Sequence, residues 1–266
     1  EVWHVNHADT WNGEDADGQY NSKQFNDIGI STQLRATYPW RQRYQDWVSV
    51  RGKIGIVQPG RIGDFIIVLP IAKWYADKGY KVIWPVCDKY LPLFDHINYV
   101  NAIGTGTDIG TGYKKAVEML RGKVGKIIDL GIGFGRDEKD WLASGLTFDQ
   151  WKYEEACVPF AEKHNLQITR NHVKEEALKK ALNLPNKYII THSKGESAGS
   201  CTFDIPNAVD VTPIDGYCLF DWIGILEGAE EIHCINSSVM NLVEGLKIGK
   251  SKRHIKLWKL NCDQER

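Results

Sequence analysis

A chain of 266 residues can bury a sizeable core, as one large domain or two moderate ones. With 42% hydrophobic and 25% charged residues it has the composition of an ordinary globular protein, and a formal net charge of -1 gives no general pull toward nucleic acid or an anionic membrane. No apolar run approaches the roughly 20 residues needed to span a bilayer, nothing resembles a signal peptide, and the chain, starting at Glu1, is expected to be a processed or trimmed product.

Residues 1–50 are rich in Asn, Gln, Asp, Trp and Tyr and lack aliphatic periodicity, which predicts an extension packed onto the fold. His4 and His7 lack a third metal ligand. Residues 15–18, DADG, lack the closing glutamate of a calcium loop and read as a solvated turn. Residues 38–44, YPWRQRY, interleave aromatics with arginines as nucleic-acid surfaces do, although packing with snorkelling cations explains them as well.

Residues 53–70, KIGIVQPGRIGDFIIVLP, are the stretch around which the chain is organised. Ile54, Ile56 and Val57 are strand formers, and Pro59-Gly60 stops the strand. Asp64 stands at the start of a predicted helix, where a carboxylate suits the free amides and the positive end of the dipole. Pro70 is expected to bend or delay that helix. Residues 81–86, KVIWPV, complete a βαβ unit, and the loop holding Arg61 and Gly63 sits where such sheets bind ligands.

Residues 90–100 are expected to be a connection and residues 105–112, TGTDIGTG, a flexible loop. Next come a helix over 114–120 and a buried strand over 126–130. Residues 173–182 form an amphipathic helix with Val173, Ala177, Leu178, Ala181 and Leu182 inward and Glu175 outward. A second α/β set comprises a strand at 188–192, the polar loop 193–200, a helix at 221–227, a strand at 231–235, a helix at 239–246 and a last strand at 255–258. The two sets meet near residue 165, which predicts domains at 51–165 and 166–266. Six cysteines without a CxxC pair are expected to be reduced, mostly buried thiols of a cytoplasmic protein, with no metal site.

The stretch from Lys53 through Gly63-Asp64 and Pro70 to Val86 resembles the opening unit of the heptosyltransferase-type glycosyltransferases, family 9. Residues 187–195, KYIITHSKG, resemble the strand and loop that open that family's donor domain. Residues 231–246, EIHCINSSVMNLVEGL, resemble its donor segment, with Asn236, Ser238 and Asn241 where the family usually has Asp, Gly and His. The resemblance implies two Rossmann-like α/β domains facing a cleft, the GT-B arrangement. It implies metal-independent, inverting transfer of a sugar from a nucleotide-diphosphate donor, with no further cofactor, to a hydroxyl of a glycan, lipid-linked or other acceptor. Asp64 would take the acceptor proton, although it can equally be read as a helix cap. Arg61, Gly63, His192, Ser193, Lys194, Asn236, Ser237, Ser238, Asn241 and Glu244 would hold substrate, the serines at a helix N-terminus suited to phosphate. Asparagine cannot supply charge or act as an acid, so donor identity does not carry over, and a binding protein that has lost catalysis stays an alternative.

A rival reading comes from residues 126–137, KIIDLGIGFGRD, which look like the first motif of S-adenosylmethionine-dependent methyltransferases. That chemistry needs a second strand ending in an acid, and the residues after the motif offer no apolar strand.

Overall fold

In this computed structural model, residues 52–132, 138–195, 199–200, 202–249 and 255–257 are described. The expected extension over residues 1–50, the glycine loop 133–137, Cys201, Trp258 and Cys262 lie outside them. Residues 51–266 form a single compact unit.

Two four-stranded parallel sheets make up its α/β frame. The first has the order β3-β2-β1-β4, with β1 Lys53–Val57, β2 Lys81–Val86, β3 Val100–Gly104 and β4 Lys126–Asp129. Ile54 pairs with Val82 on one side, and Ile56 with Ile128 on the other. β1 is central, and Ile54 to Val57 are buried because a parallel strand is covered on both faces. The second sheet has the order β10-β9-β5-β8, from β5 Ile189–His192, β8 Val209–Asp210, β9 Glu231–Cys234 and β10 Ile255–Leu257. Lys194–Gly195 (β6) and Gly199–Ser200 (β7) form a small antiparallel pair beside it.

Between β1 and β2 runs α1, Ile62–Asp77, in which every residue from Phe65 to Ala72 is buried. A helix apolar all round must be covered on all sides. Phe65 meets Trp84, Tyr90 and Phe94 edge to face, with ring centroids 5.1–5.6 Å apart. The helix continues through Pro70, so the proline neither delays nor ends it. The remaining helices are α2 Leu91–Phe94, α3 Ile109–Leu120, α4 Glu138–Ser144, α5 Phe148–Glu155, α6 His172–Ala181, α7 Ile223–Gly228 and α8 Ser238–Gly245.

Three expectations are corrected. The connection at 90–100 holds α2 and leads into β3, whose residues are only half-buried and so show no apolar run. The second half of the loop at 105–112 is the start of α3, because the Asp108 side chain accepts from the Thr111 amide and caps the helix at Ile109. Gly112 there reflects close packing: a Cβ on it would stand 2.9 Å from Thr105 Oγ1 and 3.1 Å from Cys87 Sγ. In α6 the inward face differs from the expected one: Val173 is 82% exposed and Glu175 only 4%. Arg170 explains this, since its guanidinium pairs with both carboxylate oxygens of Glu175 and lets the acid be buried.

Candidate functional site

β1 ends at Val57, and the next residue, Gln58, is buried although polar. Its carbonyl accepts from the Trp84 indole at 2.8 Å, and its side chain turns toward α1. Pro59, Gly60 and Arg61 then reverse the chain. Arg61 takes a φ of 70°, a strained conformation for a residue with a side chain and one that collects at functional sites. Arg61 is exposed and precedes the helix without capping it through its side chain.

Asp64 lies in the first turn of α1, three residues after that cap position. The hydrogen bonds of its carboxylate go elsewhere than a cap's would. Gln58 Nε2 donates to Oδ2 at 3.3 Å, and Lys152 Nζ stands 3.8 Å from Oδ1. The side chain keeps 17% of its exposure. Burial pushes the Asp64 carboxyl above the usual carboxylate range, against the pull of Lys152 and Arg61.

Lys152, on α5, is the residue that sequence reasoning missed. It is fully buried, and its ammonium donates to Gln58 Oε1 at 2.6 Å and to the Leu130 carbonyl at 2.8 Å. An ammonium on Oε1 and a carboxylate on Nε2 fix which way the Gln58 amide points. Burial lowers the Lys152 pKa to about 8, with Asp64 and Asp129 opposing. Asp129 ends β4 and accepts from the Tyr113 hydroxyl and from the Gly131 amide. The acid of the methyltransferase-like motif is thus held within the frame. The described segment after it is helical, α4 then α5, rather than the strand that chemistry requires.

The second sheet supplies a different arrangement. His192, at the end of β5, lies 2.8 Å through Nδ1 from Ser237 Oγ, and burial lowers its pKa against the pull of Asp210, which favours the neutral imidazole. Ser193 donates its amide and hydroxyl to Asp210, each at 3.0 Å, and Thr191 donates its hydroxyl to the same carboxylate at 2.9 Å. Asp210 was also missed, because β8 is two residues long and has no periodicity to read. Ser237 precedes α8 without bonding the helix amides through its side chain, so the first turn of α8 has no side-chain cap. Lys194 and Asn236 are exposed.

These two halves meet at Gly63. Asn241 Nδ2, from α8, donates to the Gly63 carbonyl at 3.3 Å. A Cβ on Gly63 would stand 3.4 Å from that nitrogen and 3.7 Å from the Ser238 amide, so the small residue lets the two helix ends approach. Glu244, one turn further, pairs with Lys163 at 3.0 Å, and Lys163 also holds Asp149 at 2.6 Å. Its carboxylate is thus paired within the protein while its side chain keeps 28% of its exposure.

A cavity of about 1090 Å³ opens alongside, lined among others by Ile62, Tyr90, His192, Val211, Trp222 and Ser238. The first-turn residues Ser238 and Val239 of α8 are on its wall, and Asp64 is not. Among the described residues, no helix is long and apolar enough to cross a membrane.

No protein-family model matches the chain, and no curated protein does. Its fold is similar to that of a family 9 glycosyl transferase from Veillonella parvula DSM 2008, with 10% identity, 79% of this chain and 87% of that one covered, and a TM-score of 0.49. It is also similar to the E. coli heptosyltransferase WaaC with ADP, with 12% identity, 78% and 90% covered, and a TM-score of 0.47.

Proposed function

We propose that the chain transfers a sugar from a nucleotide-diphosphate donor to an acceptor hydroxyl, with inversion and without a catalytic metal. One observation carries this reading: Gly63-Asp64 and the helix opened by Ser237-Ser238, 178 residues apart at Gly63 and Asn241, touch through a hydrogen bond of 3.3 Å. The two segments whose residues suggested acceptor activation and diphosphate binding are thereby neighbours.

In this reading the acceptor oxygen attacks the anomeric carbon from the face opposite the diphosphate. The new carbon–oxygen bond forms as the bond to the diphosphate breaks, and the nucleoside diphosphate leaves with the electron pair. The acceptor proton passes to Asp64. Its raised pKa favours that role, because a base is more effective when its affinity for the proton approaches that of the working pH. Lys152 opposes the rise and favours the ionised form. The departing charge is met by the first-turn amides of α8, with Lys194 and His192 alongside, while Ser193 keeps its donors on Asp210. Asn236, exposed just before that helix, is left to a sugar or ribose hydroxyl, which an amide can bind without adding charge.

The reading includes a GT-B division into an acceptor part over 51–165 and a donor part over 166–266, with substrate held between them where Gly63 meets Asn241. The acceptor is a glycan, lipid-linked or other hydroxyl compound. The unpaired thiols of Cys87, Cys157, Cys218 and Cys234 suit a reducing compartment such as the cytoplasm. Release of nucleoside diphosphate from a panel of nucleotide sugars, without acceptor, tests the proposal. Slow release from one donor class is expected; binding of S-adenosylmethionine with no donor turnover would replace the reading with methyl transfer.

A further inference from the structure

Away from Asp64, on the cavity wall, a second group of side chains converges. His96 lies just after α2, while Cys218 and Asp221 flank the first turn of a 3₁₀ segment, Leu219–Trp222, that leads into α7. A spacing of three residues in such a turn puts both side chains on one side. The imidazole Nε2, the thiol sulfur and one carboxylate oxygen all lie within 4.8 Å of one another.

Proton counting shows what this group lacks. The Thr169 carbonyl lies 3.0 Å from His96 Nδ1 and can only accept, so Nδ1 carries the hydrogen and Nε2 of the neutral ring presents a lone pair. Nε2 faces Cys218 Sγ at 3.5 Å and Asp221 Oδ1 at 3.8 Å. Asp221 is fully buried; its Oδ2 accepts from the Cys218 amide at 2.8 Å, while Oδ1 has no hydrogen-bond partner. The thiol has one proton for two acceptors, Nε2 and Oδ1, so with the ring neutral one of them stays unsatisfied. A buried carboxylate oxygen without a donor or cation is costly. One divalent ion would satisfy all three atoms together.

We propose that His96, Cys218 and Asp221 form a zinc site, whose fourth position is reached from the cavity that His96 and Cys218 line. Thiolate, imidazole and carboxylate are the zinc donor set, and three protein ligands with one open position is a common zinc arrangement. Tetrahedral bonding implies about 3.5 Å between sulfur and nitrogen and about 3.4 Å between nitrogen and oxygen. The observed 3.5 and 3.8 Å, with sulfur and oxygen within 4.8 Å of each other, require the carboxylate to move inward. The carbonyl on His96 Nδ1 is the outer contact that orients a ligating imidazole. The ion would tie the segment after α2 to the segment before α7, 122 residues apart at His96 and Cys218. The scattered cysteines concealed the site, since its ligands share no local motif. Zinc binding here does not depend on sugar transfer.

The test uses the full chain, stripped with chelator and reloaded with zinc or cobalt. One equivalent of zinc is expected to bind through this site, with a near-ultraviolet thiolate-to-cobalt band in the cobalt form. Zinc at about a hundredfold excess over its Kd should raise Tm by about 5–10 °C. Cys218→Ser should remove the cobalt band and that increment, Asp221→Asn should weaken zinc binding at least tenfold, and Cys157→Ser, at an exposed thiol, should change neither. The inference is overturned if the wild-type chain binds no zinc, or if Cys218→Ser keeps the band and the increment. Should Asp221→Asn fail to fold, Cys218→Ser decides alone.

Discussion

Two aspartates, one beyond the end of β1 and one at the end of β8, are treated oppositely by their surroundings. Asp210 is saturated: three neutral donors from Thr191 and Ser193 approach its two oxygens within 3.0 Å. Asp64 has only long contacts, 3.3 Å to Gln58 and 3.8 Å to Lys152, beside a fully buried lysine. A saturated carboxylate shapes a loop, whereas an under-satisfied, desolvated one retains lone pairs for a proton. Under the proposed function Asp210 serves structure and Asp64 chemistry.

The largest effect expected is at Asp64. Asp64→Asn keeps the shape and loses the base, so transfer should fall about 10²–10⁴-fold while donor affinity stays near that of the wild type. Equal losses in affinity and turnover would show instead that the residue serves the fold.

Lys152→Met should come next. It removes a buried cation, leaves Gln58 Oε1 without its donor and leaves the Leu130 carbonyl only the Ile132 amide, which destabilises by about 1–3 kcal/mol in urea unfolding. Without that cation the acid limb of the activity profile should move to higher pH, a change that a purely structural lysine would not cause.

In the unaltered protein the acid limb should lie above the ordinary carboxylate range, because burial raises the Asp64 pKa. Activity should change again near pH 8 as Lys152, lowered to about 8, loses the charge it holds beside Gln58 and Asp64. The lysine's folded pKa lies below its ordinary 10.5, so between about 8 and 10.5 the unfolded chain binds the extra proton. This group therefore makes stability rise with pH across that window, and the rise should vanish in Lys152→Met.

The smallest effect belongs to the other aspartate. Asp210→Asn keeps most of its acceptor capacity and should cost about 1 kcal/mol in stability. It should raise the donor KM a few-fold and leave the shape of the pH profile unchanged. A shifted profile in this variant would erase the distinction between the two residues.

The strands were legible where burial writes apolar runs: β1, β2, β4, β5 and β9 all stand out in the sequence. β3 and β8 did not, the first half-exposed and the second two residues long. The start of α3 was hidden by Gly110 and Gly112, of which Gly112 serves close packing. At the site, Asp64, Gly63, His192 and Ser237 could be found from local pattern. Lys152 could not, because in FDQWKYEE a lysine reads as solvated, and its burial depends on Gln58, 94 residues away. The zinc ligands are equally non-local.

Calorimetric titration of nucleotide sugars into wild type and Asp64→Asn, with nucleoside diphosphate release then measured in the same samples, tests the central claim most directly. One donor class should bind both proteins with similar affinity, and release should occur only in the wild type. Release by Asp64→Asn at the wild-type rate, or no nucleotide sugar bound by either protein, would contradict it.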